Sequence, residues 1–191
     1  MTLEQLVVKN RSYRRFEQSR RVSRRTLEEL ADLARRTASG ANRQPLKYLL
    51  LHTPEDCARL FPFLAWAARL RPWPGPAEGE RPAAYFVILC DKEVSANAGC
   101  DHGIAAQTIL LGAVERGLGG CMLGAIDRAR IAAEFRIPAR YEVLLVVALG
   151  APAEQCVLEE APPGGEVGYY RDAAGVHHVP KRTLSEILVS F

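Results

Sequence analysis

The chain has 191 residues, 48% of them hydrophobic and 25% charged, which matches one ordinary globular domain and excludes a disordered, collagenous or disulfide-stapled chain. Its net charge of +3 is uneven: residues 1–50 carry 12 Lys/Arg against 5 Asp/Glu and the remainder 13 against 17, so an anionic partner is expected near the N-terminal third. Five cysteines (Cys57, Cys90, Cys100, Cys121, Cys156), an odd number without a Cys-x-x-Cys pair, speak against a disulfide framework or a zinc site and for reduced thiols. With no membrane-spanning apolar run and no signal-peptide plan at the start, the expected address is the cytoplasm.

In chain order, Thr2 and Gln5 have capping-box spacing and predict a short helix over residues 2–9. The basic turn Asn10-Arg11-Ser12-Tyr13-Arg14-Arg15-Phe16 follows, and Ser23 caps a helix with Leu27, Leu30, Ala31 and Ala34 on one face. The segment Ser39-Gly40-Ala41-Asn42-Arg43-Gln44-Pro45 is a loop of turn formers and amides, 46–52 a strand, and Pro54 opens a helix toward Trp66. Pro72, Pro74, Pro76 and Pro82 with Gly75 and Gly79 leave no regular element over 71–82; residues 71–83 read as a lid beside a site or as a plain connector. A buried strand is expected over 85–90, an Ala-rich helix over 104–114, a glycine-rich turn over 117–124, a helix capped by Asp127 to residue 135, and a buried strand over 143–149. Beyond Gly150 the chain loosens, and 169–191 read as a C-terminal extension of a single domain spanning 1–191.

Several segments have the makings of a site. Arg11, Ser12 and Arg14 place two guanidinium forks and a hydroxyl within four residues, which suits a phosphate as well as a solvated charged face; Lys181 and Arg182 form a second basic cluster. Ser39, Asn42 and Gln44 carry groups that both donate and accept, suited to the edge of a heteroaromatic ring or to turn formation. The glycines near 120 fail two nucleotide signatures: Met122 occupies the third glycine position of a dinucleotide fingerprint, and Ala125 and Ile126 replace the Lys and Ser/Thr of a P-loop. A helix-ending glycine followed by tight entry into a strand is the alternative to a glycine turn. His177 and His178, as strand neighbours, point to opposite faces and chelate no common metal. No nucleophile–base pair is assembled by local spacing, so an enzyme built this way leaves the chemistry to a cofactor.

Four blocks in order, Arg11-Ser12-Tyr13-Arg14-Arg15-Phe16, Ser39 through Pro45, Gly119-Gly120-Cys121-Met122-Leu123-Gly124 and Lys181-Arg182, together resemble the nitroreductase family of FMN-dependent oxidoreductases. Trp73 through Tyr85 and Asp101 through Leu111 are similar to a short-chain subgroup of that family. The resemblance implies an α+β fold with a central, mainly antiparallel sheet flanked by helices, and a homodimer whose C-terminal extensions wrap the partner. It implies FMN at the dimer interface. The phosphate would be held by Arg11, Ser12 and Arg14 with Lys181 or Arg182. The ring would be met by Asn42 and Gln44 across the subunit boundary, with Ser39 and Gly40 nearby, and by a backbone N–H at Met122, Leu123 or Gly124. Asn10 departs from the Arg often found there and removes one guanidinium from the turn.

The implied activity is hydride transfer from NADH or NADPH to FMN and ping-pong reduction of a small acceptor, a nitroaromatic, quinone or enone, with no catalytic side chain and no metal. Reductive dehalogenation is a nearby alternative. From other classes come an FMN-free dimeric scaffold and a nucleic-acid binder; the latter is not expected, because the arginines are not interleaved with aromatics.

Overall fold

A computed structural model describes residues 1–70 and 72–190; Arg71, at the start of the expected lid, and Phe191, at the end of the expected extension, lie outside the described residues. Helix α1 (Leu3–Lys9) carries the predicted capping box of Thr2 and Gln5, yet none of its residues is buried. Helix α2 (Arg24–Ala34) starts where the Ser23 side chain accepts from the Thr26 N–H, and it buries Leu27, Leu30 and Ala34. Strand β1 (Leu46–Leu51) leads to helix α3 (Pro54–Leu60), which ends in a 3₁₀ turn at Phe61–Phe63 before reaching Trp66. Pro62 cannot donate the N–H a longer helix needs.

Strand β2 (Ala84–Asp91) is followed by α4 (Asp101–Glu115), β3 (Gly119–Leu123), α5 (Arg128–Glu134) and β4 (Tyr141–Gly150). The four strands form one antiparallel sheet in the order β1-β2-β4-β3. Every residue of β2 is buried, because each face of this central strand meets a different helical layer. Phe86 and Ile88 pack with Val147 and Leu149 against α2 and α4; Tyr85 and Val87 pack with Val146 and Ala148 against Leu60, Trp66 and Ile131. At roughly 1.5–3 kcal/mol for each fully buried large apolar side chain, these two layers dominate the favourable side of folding. The fold class read from the sequence is thus the fold observed: α+β, with helices on both faces of an antiparallel sheet.

Residues 117–124 form no glycine turn. Gly117, at φ +72, ends α4, and residues 119–123 are strand β3, so the alternative reading is the right one. The glycines serve close approach: a Cβ on Gly120 would stand 2.3 Å from the Ala148 carbonyl oxygen.

The loose C-terminal segment is also more ordered than expected. Strands β5 (Cys156–Glu160), β6 (Tyr170–Arg171) and β7 (His177–Lys181) make a second sheet in the order β5-β7-β6, with β5 and β7 parallel, and a short helix α6 (Leu184–Ile187) follows. Pro180 within β7 and the long gap between β5 and β7 hide this pairing from local pattern. Leu184, Ile187, Leu188 and Val189 beyond it are exposed, as are Leu3, Val7 and Val8 on α1. No helix among the described residues is long and apolar enough to cross a membrane.

Candidate functional site

The basic turn is pinned on two sides. Ser12 bridges to Gly120 on β3, and the Tyr13 N–H donates to the Gly120 carbonyl at 3.0 Å. The Glu17 N–H donates to Ala151 O, and the Ala153 N–H to Arg15 O, at 2.9 Å each. Phe16 is fully buried and seats the turn on the sheet.

A cleft of about 390 Å³ opens where this turn, α4, β3 and β7 meet. Arg11, Ser12, Arg14, Met122 and Lys181 line it, so five of the residues singled out in the sequence converge from three separate blocks. No Asp or Glu is among its described lining residues. Arg14 is buried: its Nη1 lies 3.1 Å from the Ser12 carbonyl and 3.2 Å from His177 Nε2, and its guanidinium sits 4.7 Å over the Tyr169 ring. Arg11 Nη2 donates to Val7 O at 2.5 Å, and burial lowers the pKa of its guanidinium. Burial first, then the Arg14 charge, lowers the pKa of His177, so its ring is neutral and accepts at Nε2 from Arg14. The Arg11 Nε and the His177 Nδ1 are buried with no partner among the described residues.

The other expected residues lie elsewhere. Leu123 is buried in the core layer opposite the Phe86 side, Gly124 leaves the strand exposed, and Arg182 turns to Glu186, with Nη1 3.4 Å from Oε1. Ser39 and Gln44 line a different groove of about 200 Å³, together with Tyr48 and Asp101. There the buried Asp101 carboxylate accepts from the Ser39 hydroxyl at 2.6 Å and the Gly40 N–H at 2.9 Å, and the Gln44 amide donates to Asn42. Ala41, Asn42 and Gln44 all adopt φ near +50°, which side chains other than glycine rarely tolerate. Three such residues in one loop are held there at a cost in backbone strain. Within one chain the groove and the cleft share no lining residue among the described residues.

Sequence reasoning gave no site role to Gln107, Tyr169 or His177, all of which line the cleft. The adjacent histidines carried a usable signal, since strand alternation already sent one of them inward. It is His177 that faces Arg14, while His178 lies on the opposite side of β7 between two carboxylates, its Nδ1 on Glu159 and its Nε2 3.1 Å from Asp172 Oδ2. The Tyr170 ring stacks on it at 4.6 Å. The hydrogen bond to Asp172, then that to Glu159, raises the pKa of His178 above its ordinary 6.5. A raised folded-state pKa contributes stability that is complete below pH 6.5 and disappears as pH rises through the folded value. The wild-type melting temperature minus that of His178→Asn, measured against pH, is therefore expected to be largest on the acid side and to fall toward alkaline pH; a flat difference curve contradicts the pairing.

The segment read as a lid or a connector packs against the basic turn. None of residues 72–82 lines the cleft; Glu80 forms a fork with Arg15, its carbonyl accepts the Phe16 N–H at 2.9 Å, and the Gln18 amide oxygen accepts from the Gly79 and Arg81 N–H groups. The proline-rich stretch braces the basic turn from behind.

The nitroreductase family model matches residues 7–151. Among solved structures, a nitroreductase family protein from Streptococcus pneumoniae superposes over 100% of both chains with a TM-score of 0.71 at 14% identity. An FMN-dependent nitroreductase from Clostridium difficile matches with a TM-score of 0.64 and 23% identity over 78% of this chain and 87% of its own. A protein from Exiguobacterium sibiricum solved in complex with FMN matches with a TM-score of 0.68 and 16% identity over 81% of this chain and 90% of its own.

Proposed function

The chain belongs to the nitroreductase family, and from that premise we propose that it is an FMN-dependent oxidoreductase that draws hydride from NADH or NADPH and reduces a small acceptor such as a nitroaromatic or a quinone. The observation that carries this reading is the convergence of Arg11, Ser12, Arg14 and Lys181 on one cleft with no carboxylate in its described lining. Three cations and a hydroxyl fit a phosphate dianion, and two buried nitrogens without partners add donors still to be satisfied.

FMN, when bound, supplies a ring that takes up hydride and hands electrons on. The chain's own residues bind and orient. Arg11, Arg14 and Lys181 neutralise the phosphate, the Ser12 hydroxyl donates to it, and Met122 and Gln107 wall the space beyond. Asn42 and Gln44, with Ser39 and Gly40 behind them, serve the ring edge of the site in a second copy of the chain. Two observations favour a homodimer: the cleft and the groove at the 39–44 loop share no described lining residue within one chain, and apolar side chains stand exposed on α1 and after β7. A soluble, cytoplasmic enzyme acting on small molecules completes the proposal.

The test is the visible spectrum of the purified protein, chromatography of the flavin released by heat, and anaerobic titration with NADH and NADPH. Released FMN, bleaching by one of the two donors, and light scattering at twice the 21.1 kDa chain mass are expected. Protein that remains colourless after incubation with FMN overturns the reading and leaves a flavin-free scaffold.

A further inference from the structure

Behind the cleft lies a carboxylate that is not among its described lining residues. The Glu154 side chain is 1% exposed, and burial of a charge is costly unless the charge is paired and fully hydrogen-bonded. Its partners are specific. Oε1 accepts the backbone N–H of Arg14 at 2.5 Å and that of Arg15 at 3.0 Å, while Oε2 accepts from Arg171 Nη2 at 2.8 Å. The Arg171 guanidinium lies in turn 4.9 Å over the Trp73 ring, which fixes the carboxylate from the far side.

We infer that Glu154 is a positioning residue of the anion cleft: by drawing two consecutive N–H groups onto one oxygen, it holds the turn in the conformation that presents the Arg11, Ser12 and Arg14 side chains to a phosphate. The inference deepens the proposed flavin function and rests on that reading. Two peptide planes are set by this contact, so the Arg14 and Arg15 N–H groups face the carboxylate and leave anion recognition at these positions to the side chain of Arg14. The Arg14 guanidinium is then free to take its place between Ser12 O and His177. Glu154 is absent from the described lining of the cleft, so it acts on a ligand only through the turn.

Glu154→Gln keeps the shape and removes the charge. A carboxamide has one acceptor oxygen for three donors, and its NH₂ group confronts either the backbone N–H pair or Arg171. Binding of FMN and of riboflavin, which has the same ring without the phosphate, is measured by flavin fluorescence for wild type and E154Q. The preference for FMN over riboflavin is expected to fall roughly tenfold in E154Q, the scale of one charge-assisted contact, while riboflavin affinity is held. A purely structural carboxylate would lower the melting temperature, or both affinities together, with the ratio unchanged; that result overturns the inference. A wild-type protein that binds neither flavin, or does not prefer FMN, overturns the flavin reading itself. Should E154Q not fold, Arg171→Lys leaves both N–H contacts and loosens the second oxygen. The same ratio is then expected to fall by a smaller factor, and an unchanged ratio again overturns the inference.

Discussion

Replacing Arg14 by Ala is expected to give a folded protein that purifies without flavin and binds FMN about a hundredfold more weakly than wild type, the upper end of what one charge-assisted contact of about 1.5–3 kcal/mol supplies. Arg14 is the best-fixed cation of the cleft. It is buried, its guanidinium is held by Ser12 O, His177 and the Tyr169 ring, and its backbone is held by Glu154. Little of its binding energy is spent on ordering a mobile side chain. Arg14→Lys, which keeps the charge but loses the planar fork and the stacking on Tyr169, is expected to fall between the two. Fluorescence titration with FMN, with riboflavin as control, measures the effect. FMN affinity within about threefold of wild type, a difference below 1 kcal/mol, would remove Arg14 from the site.

The largest loss of stability is expected from Gly120→Ala. The added Cβ would lie 2.3 Å from the Ala148 carbonyl oxygen, 2.6 Å from Leu110 Cδ2 and 2.8 Å from Leu149 Cδ2. The leucines can change rotamer, but the carbonyl belongs to the central sheet and cannot move without disturbing the β3–β4 pairing. Gly120 also accepts the Tyr13 N–H, so a shift of β3 carries the basic turn with it. A cost of about 3 kcal/mol follows from overpacking against backbone, equivalent to a melting temperature lowered by about 6–12 °C in a chain of this length. Gly124→Ala is the control: nothing stands within 4 Å of its added Cβ, and a change within about 0.5 kcal/mol is expected. Equal melting temperatures for the two variants would contradict the close approach at Gly120.

The first 150 residues were largely readable in the sequence because their signals are local. Thr2, Ser23 and Asp127 cap the helices they were expected to cap, since a side-chain oxygen two or three residues from an orphan N–H satisfies it wherever the helix lies. The apolar runs around 85–90 and 143–149 became the two inner strands, because continuous β-branched and aromatic stretches fit a strand buried on both faces. The glycines at 119 and 120 leave a turn and a strand equally open for a physical reason. A glycine kept for close approach looks, in one dimension, the same as a glycine kept for a turn; Ala148, 28 residues away, makes the difference.

The candidate site divides along the same line. Arg11, Ser12 and Arg14 are neighbours in the chain, and their chemistry alone announces an affinity for anions. Lys181, Met122 and His177 join them only because β3 runs beneath the turn and β7 pairs with β5 across a long excursion. Glu154 could not have been singled out, since an isolated acid two residues past a proline carries no local pattern; its meaning lies in two N–H groups 140 and 139 residues away. Composition, periodicity and capping therefore reach as far as the kind of fold and the charge of the candidate site, because propensities and charges act over a few residues. Which groups share a cleft, which arginine is held rigid and which is left to solvent depends on pairings between distant segments, and those are set only when the sheets close and burial demands a partner for every polar group.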